Sequence, residues 1–209
     1  MNTSVFKYIT LSFLFLIAKL PHGFAQDNFF QAHLRLGGNF SQVDGDAIGG
    51  YNKVGLHTGI GVSHKIAGKN HHIGFEILYS QKGSVRRIDP KDPSPQIFRL
   101  YFDYIEFPIL YEVEPEFLDN SRLYIGPSIG ANINAKRDEG FGKQEAQLNR
   151  FEIGLNLGLK YYLSDRLAAD VRHSYSLFRV GDNFANGLNI FNRVGMYNRL
   201  FTVALSYDI

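Results

Sequence analysis

From Phe151 to Tyr161 every odd position is apolar (Phe151, Ile153, Leu155, Leu157, Leu159, Tyr161), while the even ones are Glu152, Gly154, Asn156, Gly158 and Lys160. Successive side chains of a strand point to opposite faces, so this period of two predicts a strand with one apolar and one polar side. The alternation recurs over Phe30 to Phe40, Val54 to Val62, Ile73 to Tyr79, Leu123 to Ile133, Leu167 to Leu177 and Tyr197 to Tyr207, with a long aromatic stretch from Phe98 to Tyr111. Eight strands result, and no segment longer than a turn or two carries a helical period. In the aromatic stretch the apolar residues switch from even positions (Phe98, Leu100, Phe102) to odd ones (Ile105, Phe107, Ile109), which predicts a bulge near Tyr104. Pro108 and Pro127 fall inside the fourth and fifth strands, where each removes a ladder hydrogen bond and calls for a bulge or a locally opened seam.

The connections alternate in length. Residues 41–52, 83–96, 136–149 and 181–195 are long and polar, 66–71 and 163–165 are short, and 112–121 is intermediate. Outer-membrane barrels pair short periplasmic turns with long external loops, so both termini belong in the periplasm. A soluble, lipocalin-like barrel also alternates but turns its apolar face inward around a ligand. The polar face separates the two: it carries Gly55, Gly59, Gly61, Gly126, Gly130, Gly154 and Gly158 with a few charges between, a composition for a narrow interior. Its opposite is Phe, Tyr, Leu and Ile, a surface for hydrocarbon, and Phe40, Tyr79, Tyr111, Phe151, Tyr161, Tyr197 and Tyr207 near strand ends can form interfacial girdles. The expected fold is all-β, an eight-stranded antiparallel up-and-down transmembrane β-barrel.

Composition narrows the compartment. The chain of 209 residues is 44% hydrophobic and 20% charged, contains no Cys or Trp, has a mean hydropathy of -0.16, and has no run of 18 apolar residues that could form a membrane helix. Lys7, the apolar run Tyr8 to Ala18 and the small residues Gly23 and Ala25 have the order of a secretory signal peptide, predicting residues 1–25 as cleaved and 26–209 as the barrel domain. Loss of Lys7 and Lys19 lowers Lys plus Arg from 22 to 20, level with the 20 acidic residues, so a basic nucleic-acid surface is excluded. The expected location is the outer membrane of a Gram-negative bacterium.

Several segments resemble the PorT family of outer-membrane β-barrel proteins. They are Gly37-Gly38-Asn39-Phe40-Ser41-Gln42 with Asp44-Gly45-Asp46, Gly50-Tyr51-Asn52-Lys53-Val54-Gly55, and Gly74-Phe75-Glu76-Ile77-Leu78-Tyr79-Ser80-Gln81-Lys82-Gly83. Tyr104-Ile105-Glu106-Phe107-Pro108 and Gly126-Pro127-Ser128 belong with them, so the resemblance spans nearly the whole mature chain. It implies an eight-stranded outer-membrane barrel with both prolines as family features, and an accessory role in protein export with secretion-machinery proteins as partners. No site residues come with it. The terminal Ile209, with Tyr207 two before it, departs from the terminal aromatic usual in such barrels.

Parity places Arg35, Glu76, Glu106, Arg122, Arg150, Glu152, Lys160, Asp170 and Arg172 inside. Mixed signs in a narrow barrel predict a salt-bridged plug; a small polar conduit or ligand site is the alternative. On the external connections Arg86, Arg87, Lys91, Lys136, Arg137, Lys143 and Arg193 form a cationic rim, with Arg86, Arg87 and Arg137 as candidate contacts to lipopolysaccharide phosphates. The other constellations are weak. His71-His72 lacks a fixed third metal ligand, and Asp44-Gly45-Asp46 lacks the later Glu of a calcium loop. His173 and Ser174 are strand neighbours that point to opposite faces, so they cannot form a base and nucleophile pair. Gly37-Gly38 and Gly49-Gly50 lack the helix of a phosphate loop. The expectation is a monomeric, non-enzymatic barrel without a cofactor that serves a structural, docking or secretion-accessory role. An enzyme acting on outer-membrane lipid and a soluble carrier of apolar ligands are the rivals.

Overall fold

A computed structural model describes residues 30–66, 70–86, 97–182 and 194–209. The expected signal peptide (1–25) and the rim cations Arg87, Lys91 and Arg193 lie outside the described residues. Where the period of two holds, a strand forms: β1 (Phe30–Asp44), β2 (Lys53–Lys65), β3 (His71–Val85), β4 (Arg99–Val113), β5 (Ser121–Asp138), β7 (Phe151–Tyr162), β8 (Leu167–Ser176) and β9 (Tyr197–Asp208). A short β6 (Lys143–Glu145) folds back on the end of β5, pairing Lys136↔Glu145 to Asp138↔Lys143. Apart from β6, each strand pairs antiparallel with the next, and β1 pairs with β9 from His33↔Asp208 to Asp44↔Tyr197. The ring is therefore closed, an eight-stranded all-β barrel with β6 as an appendage.

Closure gives every barrel strand one side facing out and one facing in. The outward rows read Val54, Leu56, Thr58, Ile60, Val62 on β2, Ile73, Phe75, Ile77, Tyr79 on β3, and Phe201, Val203, Leu205, Tyr207 on β9. Among the described residues the outward rows gain charges toward the rim opposite the termini, with Arg99 and Asp103 on β4, Lys136 and Asp138 paired beside them on β5, and Arg199 on β9. Of the expected girdle aromatics, Phe40, Tyr111, Phe151, Tyr161 and Tyr207 are exposed on the outside, whereas Tyr197 is buried and stacked on Tyr175 with ring centroids 6.3 Å apart.

The expected bulge exists, but on the neighbouring strand. Pairing runs Asp103↔Asn134 and then Tyr104↔Asn132, so Ile133 of β5 is the extra residue. β4 keeps one parity throughout, and Leu100, Phe102 and Tyr104 all point inward. The even apolar residues of β4 were thus never destined for the lipid face; they cover the inside of one end. At Pro108 and Pro127 the register does not shift. Instead the ladder lapses between Phe75↔Ile109 and Leu78↔Glu106 on one side of β4, and between Pro108↔Ser128 and Tyr111↔Ile125 on the other. A missing amide donor opens the seam without adding a residue.

Strands also reach into segments whose composition reads as loop. β1 runs to Asp44, β3 to Val85 and β5 to Asp138, because pairing with a neighbour satisfies backbone groups that turn-like side chains do not specify. At the ends of these extensions Val43, Leu100, Phe102, Tyr104, Val180 and Met196 form one buried apolar cluster, with Phe98, Ala135, Ala146 and Leu148 packed on it. Backbone bonds from the Asn149 amide to Val180 O (2.7 Å) and the Val180 amide to Met196 O (2.8 Å) stitch the covering segments together. This cluster forms an apolar lid at the end of the lumen away from the termini.

The outward position of Val203, mid-strand on β9, sets a direct test. Val203→Arg should destabilise the folded barrel by about 2–4 kcal/mol in lipid vesicles, read from urea-dependent unfolding; an unchanged midpoint would contradict a lipid-facing row there.

Candidate functional site

Inside the ring, side chains of opposite sign are held on different strands. On β1, Arg35 donates from Nη1 and Nη2 to the two carboxylate oxygens of Asp170 on β8, at 2.7 and 2.6 Å. Tyr124 of β5 donates its hydroxyl hydrogen to Asp170 Oδ1 at 2.7 Å and accepts from Arg172 Nε at 3.0 Å. Arg172 Nη2 in turn donates to Glu76 Oε2 of β3 at 2.7 Å, and His33 Nε2 lies 3.3 Å from Glu76 Oε1. Two acids, two arginines and a phenol thus form one buried network across the lumen, each of the five nearly inaccessible. The planar guanidinium fork suits such bidentate pairing.

Toward the lid lies a second cluster. Lys82 Nζ sits 2.7 Å from Glu106 Oε1 and 3.0 Å from both oxygens of Glu152, and 4.6 Å from the centroid of the Tyr104 ring. The remaining lone pairs of Glu152 accept from Ser176 Oγ (2.7 Å) and Asn198 Nδ2 (2.8 Å). Nearest the termini, Arg122 Nε lies 3.0 Å from Glu114 Oε1, which also faces His72 Nε2 at 2.9 Å, while Glu112 is flanked by Arg122 (3.7 Å) and Lys160 (3.9 Å). Below this layer the barrel opens into recesses of about 580 Å³ and 540 Å³ that share Gln31 and Arg122.

Glycines make room for these groups. A β-carbon at Gly158 would run into the Tyr124 phenol and the Val171 carbonyl. One at Gly61 would lie 2.5 Å from the His33 ring and 2.9 Å from Glu76 Cγ. Their presence on the polar face is therefore a packing requirement of large side chains arriving from other strands.

Of the residues that parity places inside, Arg35, Glu76, Glu106, Arg122, Glu152, Lys160, Asp170 and Arg172 are buried in the lumen. Arg150 is not. It precedes β7, where strand parity no longer governs direction, and its guanidinium rests 5.7 Å from the centroid of the outward Phe151 ring. Sequence reasoning missed Lys82, because the alternation of apolar residues extends only from Ile73 to Tyr79, although the inward series Glu76, Leu78, Ser80 continues to it. It also missed Tyr124, an aromatic between two lumen positions of β5 whose alternation could have shown it. His173 and Ser174 part as expected: Ser174 Oγ bonds Asn156 Oδ1 inside (2.7 Å), and His173 Nε2 faces the Tyr51 hydroxyl outside (3.3 Å). His71 and His72 diverge as well, His71 Nδ1 meeting the Tyr111 hydroxyl at 2.7 Å while His72 turns inward to Glu114. Among the described residues no group of three His, Cys, Asp or Glu could hold a metal ion. On the rim, Arg137 Nε is 3.4 Å from Glu139, and Arg86 borders a recess formed with residues 47–52.

Beyond the strands, Asp46 is buried in the connection from β1 to β2, where its Oδ1 accepts from the Ile48 amide at 2.8 Å. Burial pushes its carboxyl up to about 6, against bonds from Ser84 and the Ile48 amide that lower it. A group whose folded value is raised binds more protons in the folded state, so its contribution is complete below about pH 4 and is lost as the pH climbs through 6.

A family model described as "Outer membrane protein beta-barrel domain" matches residues 24–181 of the chain. Among solved structures, Ail, the attachment invasion locus protein of Yersinia pestis, is 12% identical with a TM-score of 0.51, over 86% of this chain and 99% of that one. Neisserial surface protein A is 16% identical with a TM-score of 0.45, over 85% and 96%. The N-terminal β-barrel domain of Pseudomonas aeruginosa OprF is 10% identical with a TM-score of 0.46, over 86% and 97%. At 12% identity the likeness to Ail is one of fold alone. No curated protein matches the chain in sequence.

Two outcomes follow from this geometry. Glu76→Gln combined with Glu106→Gln removes the carboxylate that pairs with Arg172 and leaves Lys82 with Glu152 alone; breaking a buried pair costs about 3–5 kcal/mol, so the folded band in detergent should melt well below that of the parent. For Asp46, amide exchange over residues 44–52 should be faster at pH 7.5 than at pH 5 by roughly tenfold after correction for the intrinsic rate, and Asp46→Asn should erase the difference.

Proposed function

Because the chain belongs to the outer-membrane protein β-barrel domain family, we propose that it acts as a closed, non-conducting barrel with a structural, docking or secretion-accessory role. It resides in the outer membrane, and its polar lumen and apolar exterior are the reverse of a soluble carrier with a greasy cup. The observation that carries the reading is the pairing of Arg35 with Asp170, Arg172 with Glu76 and Lys82 with Glu106 and Glu152 beneath the lid of Val43, Leu100, Phe102, Val180 and Met196. Paired ions fill the middle as a polar plug, and the apolar lid denies a hydrated ion any path at one end. A protein of this kind works through its surfaces: lipid around the belt, partners at the two rims.

The accessory role in secretion is supported by the PorT-like motifs, and the recesses beside Gln31 and Arg122 are the candidate docking points for a periplasmic partner. Lipopolysaccharide is the expected neighbour of the opposite rim, where Arg86 and Arg137 lie. A monomer suffices for these tasks, and the absence of a nucleophile and base pair at His173 and Ser174 favours a non-enzymatic role over lipid cleavage.

Planar-bilayer recording tests the closed lumen. The parent protein should show no unitary conductance at 100 mV, and Leu100→Ala with Phe102→Ala, which thins the lid but leaves the ion pairs, should remain closed. Stable openings in the parent would end the plug reading.

A further inference from the structure

Above the apolar belt on β3, β4 and β5, two lysines from separate parts of the chain converge on one aromatic ring. Lys143 Nζ, from β6, is 4.5 Å from the centroid of Tyr101, and Lys53 Nζ, from the start of β2, is 5.4 Å from it. The backbone makes way for the second. A β-carbon at Gly83 would sit 3.0 Å from Lys53 Cδ and would strike the Leu100 carbonyl, and Gly83 has a φ of +134° that L side chains rarely adopt. Lys53 therefore crosses β3 at a notch that only glycine provides. Its ring partner belongs to the outward row of β4, two places beyond Asp103 and four beyond Ile105, where the apolar belt of that strand ends. At about 3.3 Å per residue and a strand tilt of about 40°, Tyr101 stands about 10 Å past the last isoleucine, at the height of lipid headgroups.

Neither ammonium has a carboxylate at ion-pairing distance among the described residues. Asp103 acts on Lys53 from further away, and its Oδ2 is engaged by Asn134 Nδ2 at 2.8 Å. Two like charges held against one ring repel each other, and the arrangement is relieved by an anion between them. A ring face that attracts cations fixes both lysines in place, and an ammonium is a compact donor suited to a phosphate oxygen.

We propose that Lys53, Tyr101 and Lys143 form a binding site for the phosphate of an outer-leaflet lipid headgroup, with the acyl chains lying along Ile105, Phe107 and Ile109 below it. This rests on the outer-membrane reading above and adds a site beside the rim cations Arg86 and Arg137. The exposed Lys143 and the largely buried Lys53 supply the charge, and the Tyr101 ring attracts both.

The test uses the refolded full barrel in detergent and titrates purified lipopolysaccharide, the same material after enzymatic dephosphorylation, and inorganic phosphate, with bound lipid read by native mass spectrometry. Lys53→Gln with Lys143→Gln should weaken binding of the phosphorylated lipid tenfold or more, while the parent loses as much on the dephosphorylated lipid. Lys143→Gln alone, a change at an exposed residue, should lose several-fold and guards against a folding defect from Lys53. Lys65→Gln at the opposite rim should change nothing. Equal affinity of the parent and the double variant overturns the proposal, as does equal binding of the dephosphorylated lipid or displacement of the lipid by inorganic phosphate at matched concentration. A loss seen only in Arg86→Gln with Arg137→Gln would also overturn it while leaving the closed-barrel reading intact; channel openings in the parent would sink that reading and leave this site standing.

Discussion

The hydrogen-bonded seam between β1 and β9 is the constraint on which everything else depends. Hydrocarbon offers no partner for a backbone amide or carbonyl, so a sheet that spans a membrane must have no edge. The seam runs from His33↔Asp208 to Asp44↔Tyr197 and joins the first strand to the last over the full height of the ring. Once it is made, each strand has an outside and an inside, and the period of two becomes a radial instruction. The two prolines are tolerated because each lapses the ladder locally at positions flanked by intact pairing, leaving the closure untouched.

A ring of eight strands leaves room inside for side chains and little else. Charges carried there by β1, β3, β4, β5, β7 and β8 have no bulk water to solvate them, so they are stable only as partners of one another. The structure meets this with carboxylates that each accept several bonds: Glu152 from Lys82, Ser176 and Asn198, and Asp170 from Arg35 and Tyr124. The glycines opposite are the spatial counterpart. Gly158 yields to Tyr124 and Gly61 to His33 and Glu76, so small and large residues alternate around the lumen.

The two ends of the barrel differ in kind. Near the termini the lumen opens into polar recesses bordered by Gln31 and Arg122, and at the other end an apolar lid is built from inward residues of β4 and from segments that follow β6, follow β8 and precede β9. Such asymmetry suits a protein that presents different surfaces to two compartments. The lid also explains why β4 carries apolar residues on both of its faces: the outward ones meet acyl chains, and the inward Leu100 and Phe102 meet Val43, Val180 and Met196.

The sequence by itself determined the strands, their number in the ring, which side of most of them faces lipid, and eight of the nine charged residues placed inside by parity, because side-chain alternation is a local property of extended backbone. It did not determine which charges pair. Arg35 and Asp170 are 135 residues apart, and only the register of closed neighbours brings them together. Arg150 fell outside the lumen since parity ends where the strand ends, and Lys82 fell inside since pairing carried β3 past its last alternating apolar residue. The extra residue of β5, the apolar lid and the meeting of Lys53 and Lys143 on Tyr101 were likewise decided by tertiary structure. Each depends on which segments lie side by side after closure, and local alternation carries no information about that.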